Sequence, residues 1–191
     1  MIRLFVALEL PEELRDRIAM VQRGVTGARW IPPESLHVTL RFIGEVPEDR
    51  YDDIVYALEA VRSEPFALTI VGAGHFESRG RVRALWLGIE RDPSLMALNK
   101  RLESALVRAG LPPEERKYTP HITIARLNDA SPAQVSGWLQ ANNMFRSIPW
   151  PMDSFVLFSS FQSRNGAIYR PELEFALTRG QDPRMLEAPG Y

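Results

Sequence analysis

Two four-residue stretches, His37-Val38-Thr39-Leu40 and His121-Ile122-Thr123-Ile124, carry the reading of this chain. Each runs His, β-branched apolar, Thr, aliphatic, and Val, Ile and Thr favour extended backbone, so each is expected to be a strand. Side chains alternate across a strand. His37 and Thr39 therefore share one face, with Val38 and Leu40 on the other, and the second copy repeats the arrangement. A single His-x-Thr is ordinarily just the polar face of a half-exposed strand. Here two of the three histidines of the chain fall in the pattern, and the repetition outweighs that bland reading. The third, His75, stands in Gly74-His75-Phe76-Glu77 and is expected at a loop or strand end.

Outward from the motifs, the sequence repeats a larger unit. Leu4 to Leu8 reads as a strand, and Pro11 opens a helix with Glu12 and Glu13 in its first turn, where carboxylates suit the positive end of the helix dipole. Leu14, Ile18, Val21 and Gln22 form its inner face, and Gly24 to Gly27 end it. After the first motif strand, which runs on to Gly44, Pro47 opens a helix over 48–62, and Phe66 to Val71 is a further strand. The second unit begins with the apolar strand Ala84 to Ile89. Asp92 is its helix N-cap, with Pro93 at the first helical position and Gly110 as the stop. A polar connector, Leu111 to Thr119, leads to the second motif, and Ser131-Pro132 starts the next helix. Strands over Asp153 to Ser159 and Ala167 to Leu177 follow, with a hairpin turn at Arg164-Asn165-Gly166. The pattern is a two-fold β-α-β-α-β repeat. The expected architecture is α+β, with two lobes about a pseudo-dyad and a central cleft lined by both His-x-Thr faces. Residues 1–179 form one bilobal domain in this reading, and 180–191 form a poorly ordered tail.

Composition narrows the chemistry. At 191 residues with 45% apolar content, the chain can bury a sizeable core. A formal net charge of −1 argues against long, non-specific binding along a nucleic-acid backbone. With no cysteine there is no disulfide framework, thiolate zinc site or thiol nucleophile. The apolar run Met1 to Leu8 is too short for a signal segment or a membrane span, so the expected setting is cytoplasmic.

Two imidazoles across a cleft suit a reaction in which one proton is removed and another supplied near neutral pH. Thr hydroxyls donate hydrogen bonds to anionic oxygens, which points to phosphate. Glu34 is the one carboxylate within three residues of either histidine, so a metal site is disfavoured and no cofactor is expected.

On these residues the chain resembles the two-histidine (2H) phosphoesterase superfamily, and within it the bacterial and archaeal RNA 2′,3′-cyclic phosphodiesterases, also called 2′-5′ RNA ligases. The similar stretches are Leu36 to Gly44, Pro120 to Arg126, and Leu157-Phe158-Ser159-Ser160 with Tyr169. The resemblance implies antiparallel sheets with helices outside, and metal-independent hydrolysis of a terminal 2′,3′-cyclic phosphate to a 2′-phosphomonoester, with 2′-5′ ligation as the reverse reaction. It casts His121 as proton acceptor and His37 as proton donor, with Thr39, Thr123 and Arg126 holding the phosphate. The implied partner is an RNA 3′ end, met by a monomer that needs no membrane and no obligate protein partner. Two alternatives remain open at this point: an RNA-end-binding module without turnover, and an enzyme acting on a small cyclic nucleotide phosphate.

Strand parity complicates three further residues. Strict alternation puts Arg126 on the face opposite His121 and Thr123, and only a strand end or a bulge near Ala125 would bring it round. Arg41 has the parity of His37 and Thr39. Phe42 is expected in the core, with base stacking at the cleft as the alternative, and Tyr169 shares that ambiguity. Arg79, Arg81, Arg83 and Lys117 read as solvated charges rather than as an RNA-steering surface.

Overall fold

The computed structural model describes residues 1–163 and 166–178. Its elements run in the order β1 (Ile2–Glu9), α1 (Glu12–Ala19), β2 (Arg29–Trp30), β3 (His37–Val46), α2 (Tyr51–Glu59), β4 (Phe66–Leu68), β5 (Ile70–Ser78), β6 (Arg81–Ile89), α3 (Pro93–Arg108), β7 (His121–Ala130), α4 (Pro132–Asn142), β8 (Trp150–Met152), β9 (Ser154–Ser163) and β10 (Gly166–Ala176). Several helix signals act as the sequence predicts. Asp92 accepts hydrogen bonds from the backbone N–H groups of Ser94 and Leu95, satisfying two donors that the first turn of α3 would leave unpaired. Ser131 and Gln134 form a reciprocal capping box on α4.

Two four-stranded antiparallel sheets result, in the orders β10-β9-β1-β3 and β2-β7-β6-β5. The repeat is present, but its units are interleaved. The strand following the first motif, β5, joins the sheet of the second motif, while β9 and β10 cross back to the sheet of the first. Neither sheet is built from one half of the chain. The short strands β4 and β8 pair with each other, with Ala67 opposite Pro151. Those two positions are 84 apart, the same spacing as His37 and His121, so the pseudo-dyad runs through this pair. One continuous core spans both sheets, from Leu4, Leu8, Leu14, Ile18, Val38 and Leu40 to Leu85, Leu98, Leu102, Ile122 and Ile124.

Some sequence boundaries move. Helix α1 ends at Ala19 rather than at the glycines. Gln22, expected on its inner face, lies in the following turn, where its side chain is drawn to strand carbonyls described below. The strand read over 66–71 is two strands, broken at Thr69, and the second continues to Ser78. Ser78 to Arg83, a basic stretch that reads in the sequence as a turn, forms a hairpin whose turn is Arg79-Gly80 alone, both with positive φ as a two-residue connection needs. Arg81 and Arg83 stand on β6 and are engaged by the far end of β7: Arg81 pairs with Asp129 at 3.3 Å, and Arg83 donates to the Asn128 carbonyl. His75 lies within β5, not at its end, with Nε2 3.7 Å from a Glu77 carboxylate oxygen. The Arg164-Asn165 turn and the tail from 180 fall outside the described residues, and among those described no helix is long and apolar enough to cross a membrane.

Candidate active site

Strands β3 and β7 lie against each other at the seam between the two sheets, which brings the two motifs together. Both histidines are half-buried, between buried neighbours that face the core. His37 Nδ1 is 2.8 Å from the Ser35 carbonyl, and His121 Nδ1 is 2.7 Å from the Thr119 carbonyl. A carbonyl only accepts, so in each ring Nδ1–H donates to the carbonyl two residues upstream. That bond fixes ring orientation and tautomer, and leaves Nε2 as the atom that can take a proton, or give one when the ring is charged.

Burial lowers the affinity of both rings for a second proton. For His37, desolvation is the largest cause; its bond to Ser35 opposes it, and the charges of His121 and Arg126 lower it further. For His121, desolvation again leads, opposed by the bond to Thr119, and Arg126 lowers it further. The two imidazoles and the Arg126 guanidinium are therefore within electrostatic reach of one another.

Arg126 arrives there through a bulge. Along β6, Leu85 pairs with Ala125 and the next residue, Trp86, pairs with Thr123, so Ile124 is an extra residue in β7. Ile124 and Ala125 are consecutively buried, the alternation inverts, and Arg126 emerges exposed on the side of Thr123 and His121. Strand β3 does the same at the equivalent place. Val6 pairs with Arg41 and Ala7 with Thr39, which leaves Leu40 as the extra residue. This reverses two expectations. Arg41 turns away from the histidine face and is buried, with 7% of its surface exposed, bonded to Glu103 and to the Phe42 and Pro112 carbonyls. Phe42, expected in the core, is 39% exposed on the face of His37 and Thr39, with the Arg3 guanidinium 5.2 Å from its ring centre. Phe42 and Arg126 are the pseudo-symmetric counterparts at the two motifs.

Each imidazole also has an aromatic wall. Tyr169 meets His37 edge-on at 5.1 Å between ring centres, with Phe5 at 5.0 Å and Phe158 at 6.4 Å. Phe76 meets His121 edge-on at 4.8 Å, with Trp86 at 6.2 Å. Trp86 lies across Gly74 on the neighbouring strand, and a Cβ there would fall 2.2 Å from the indole, so Gly74 is what lets the ring sit beside His121. Of these, only Tyr169 is a candidate from sequence. Phe5 and Phe158 are brought together by the remote pairing of β1 with β9, and Phe76 and Trp86 reach His121 because β6 pairs with the remote β7. Period-2 patterning gives their faces but not their neighbours. Thr39 and Thr123 stand half-buried on the histidine face. Arg79, Arg81 and Arg83 cluster at the β5–β6 hairpin, and Lys117 is exposed on the connector before β7. Among the described residues no cluster of His, Cys, Asp or Glu could hold a metal ion.

Comparison with known proteins places this geometry. The chain is 34% identical over 177 residues to the RNA 2′,3′-cyclic phosphodiesterase of Thermotoga maritima, an alignment covering 88% of this chain and 91% of that one. It is 31% identical to the RNA 2′,3′-cyclic phosphodiesterase of Escherichia coli, over 93% of this chain and 97% of that one. The crystal structure of E. coli LigT complexed with 3′-AMP superposes with a TM-score of 0.78 at 28% identity, covering 93% of this chain and 99% of that chain. Residues 10–163 match the model of the 2′-5′ RNA ligase superfamily. With that match over most of its length and relatives that align almost end to end, this chain belongs to the 2′-5′ RNA ligase superfamily, the two-histidine phosphoesterases.

Proposed function

We propose that the chain hydrolyses RNA 3′ ends bearing a 2′,3′-cyclic phosphate to the 2′-phosphomonoester, with residues 1–179 acting as one catalytic unit. The observation that carries this reading is the pair of equivalent imidazoles, each tied through Nδ1–H to a carbonyl and each with Nε2 unused by that tie. In-line displacement at phosphorus needs a base and an acid on opposite sides, and a pseudo-dyad supplies matched groups in opposed orientations. His121 Nε2 takes the proton of the attacking water as its oxygen bonds to phosphorus. Protonated His37 gives its proton to the 3′-oxygen as the P–O3′ bond breaks. Arg126 and the Thr39 and Thr123 hydroxyls bind the non-bridging oxygens, where charge accumulates. Tyr169, edge-on to His37, and Phe42, exposed on the histidine face of β3, are candidate surfaces for the terminal base. The similarity to a relative crystallised with 3′-AMP supports a nucleotide ligand. The reading is tested with a 2′,3′-cyclic-phosphate oligonucleotide in excess chelator, followed by phosphorus NMR. Undiminished turnover giving the 2′-phosphate is expected. Binding without turnover would instead make the chain an RNA-end-binding module, and a strong preference for the mononucleotide would move the substrate to small cyclic phosphates.

The pH dependence follows from burial. Activity needs one proton shared by two histidines, one ring neutral and one charged. Both pKa values lie below the ordinary 6.5. The singly protonated pair is most populated between them, so kcat/KM, which reports the free enzyme, is expected to peak below pH 6.5 and fall toward pH 8. An anionic phosphate bound beside His37 favours its charged form, so the kcat profile should be displaced to higher pH than that of kcat/KM. Parallel profiles centred above pH 7 would contradict this.

A further inference from the structure

In both motifs a side-chain amide meets the carbonyl of the extra residue that the bulge introduces. Asn99, on α3, donates from Nδ2 to the Leu40 carbonyl at 2.7 Å. Gln22, in the turn after α1, donates from Nε2 to the Ile124 carbonyl at 3.0 Å and to the Ile31 carbonyl at 2.8 Å. The Ile31 N–H also donates to the Ile124 carbonyl, at 2.9 Å. The turn carrying Gln22 is itself held, because the Trp138 indole N–H donates to the Val21 carbonyl at 2.8 Å. Leu40 and Ile124 are pseudo-symmetric equivalents, and each amide comes from the helix region that follows the central strand of the other sheet. Two different residue types thus meet the same backbone feature in the two halves.

We infer that Gln22 is a positioning residue for Arg126: by bonding the Ile124 carbonyl it holds the bulge that keeps the Arg126 guanidinium on the histidine face. A bulge is one residue from a regular ladder, and a one-residue slip reverses every side chain beyond it. Without the amide the Ile124 carbonyl is left with the Ile31 N–H, the bridge between the Ile31 and Ile124 carbonyls is lost, and β7 can relax toward strict alternation, which would carry Arg126 away from the phosphate. The inference rests on the phosphate-binding role proposed for Arg126.

The test is a double-mutant cycle between Gln22→Met and Arg126→Ala, with cyclic-phosphate hydrolysis as readout. Gln22→Met should lower kcat/KM by about 10- to 100-fold in the parent chain, the scale of misplacing a positioned group, and by less than about 2-fold when Arg126 is already Ala. Equal losses in both backgrounds, or no loss in a folded Gln22→Met protein, would overturn it. Gln22→Glu keeps the shape and removes the donor, and it stands in if the Met variant fails to fold. Asn99→Leu should combine additively with Arg126→Ala, because its bulge aims Phe42 instead. The positional claim has its own readout. The Arg126 Nε–H resonance, assigned by its loss in Arg126→Ala, should move in Gln22→Met and Gln22→Glu and stay in place in Asn99→Leu. That spectrum decides the inference even if the parent chain proves inactive on cyclic phosphates, an outcome that would remove the proposed function instead.

Discussion

Replacing His121 by Ala should lower kcat for a 2′,3′-cyclic phosphate by about 100- to 10,000-fold, and His37→Ala should do the same, because each deletes one of the two proton transfers proposed for the displacement. The effect should be confined to chemistry. Both rings stand outside the core and bond within the fold through Nδ1 to a carbonyl two residues away. Losing that bond and the aromatic contacts costs about 1–3 kcal/mol, less than typical domain stability. The circular dichroism spectrum should therefore match that of the parent, with a thermal midpoint lower by no more than about 10 °C. The double variant should be little worse than either single one, since an acid and a base that act in one step do not contribute additively. Rates are read by chromatographic separation of cyclic nucleotide and product. Either single variant keeping activity within a few-fold of the parent would remove its histidine from the mechanism.

The contrast between those two residues and Arg126 shows what the sequence could and could not reveal. His-x-Thr repeated at matching positions of a repeated β-α-β-α-β pattern is visible in the chain, because face and period are local properties. Helix starts at Pro93 and Pro132 are equally local, written in the preceding Asp92 and Ser131. A bulge is not. It depends on which strand lies alongside and how the two registers match, and nothing in Leu40-Arg41-Phe42 or Ile124-Ala125-Arg126 announces the extra residue. Strict alternation therefore put Arg41 at the site and Phe42 in the core, and the fold exchanges them. The interleaving of the units was hidden for the same reason. That β5 pairs with β6 and β9 with β1 is a fact about partners, which periodicity does not encode.

Arg41→Ala should destabilise the fold by about 3 kcal/mol, the largest stability loss expected from any single charge in the described structure. The bulge sends this guanidinium inward, where it joins β3 to α3 and to the connector that leads to His121. Its Nε donates to a Glu103 carboxylate oxygen, Nη2 donates to the Pro112 carbonyl at 2.6 Å, and Nη1 lies 4.0 Å from Glu114. The second Glu103 oxygen accepts the Glu114 N–H at 2.8 Å, which closes the loop of contacts. Truncating Arg41 leaves the partly buried Glu103 without its counter-charge and takes a donor from the Phe42 and Pro112 carbonyls. Removing one partner of a buried pair costs ~3–5 kcal/mol. The lower end applies because Glu103 and Glu114 retain 26% and 29% of their surface to water. Arg41→Met keeps the aliphatic stem but orphans the same carboxylate, so it should lose nearly as much. Adding Glu103→Met should recover part of the loss, since the unpaired charge is then gone. Arg41→Lys keeps the charge without the planar fork that reaches three acceptors at once, and should fall between Ala and the parent. Urea midpoints at unchanged m-value measure the series. If Arg41→Ala lies within about 1 kcal/mol of the parent, the guanidinium is no more than a surface ion pair. If instead the Met–Met pair is no better than Arg41→Met alone, the cost comes from lost packing and lost carbonyl bonds rather than from a stranded charge.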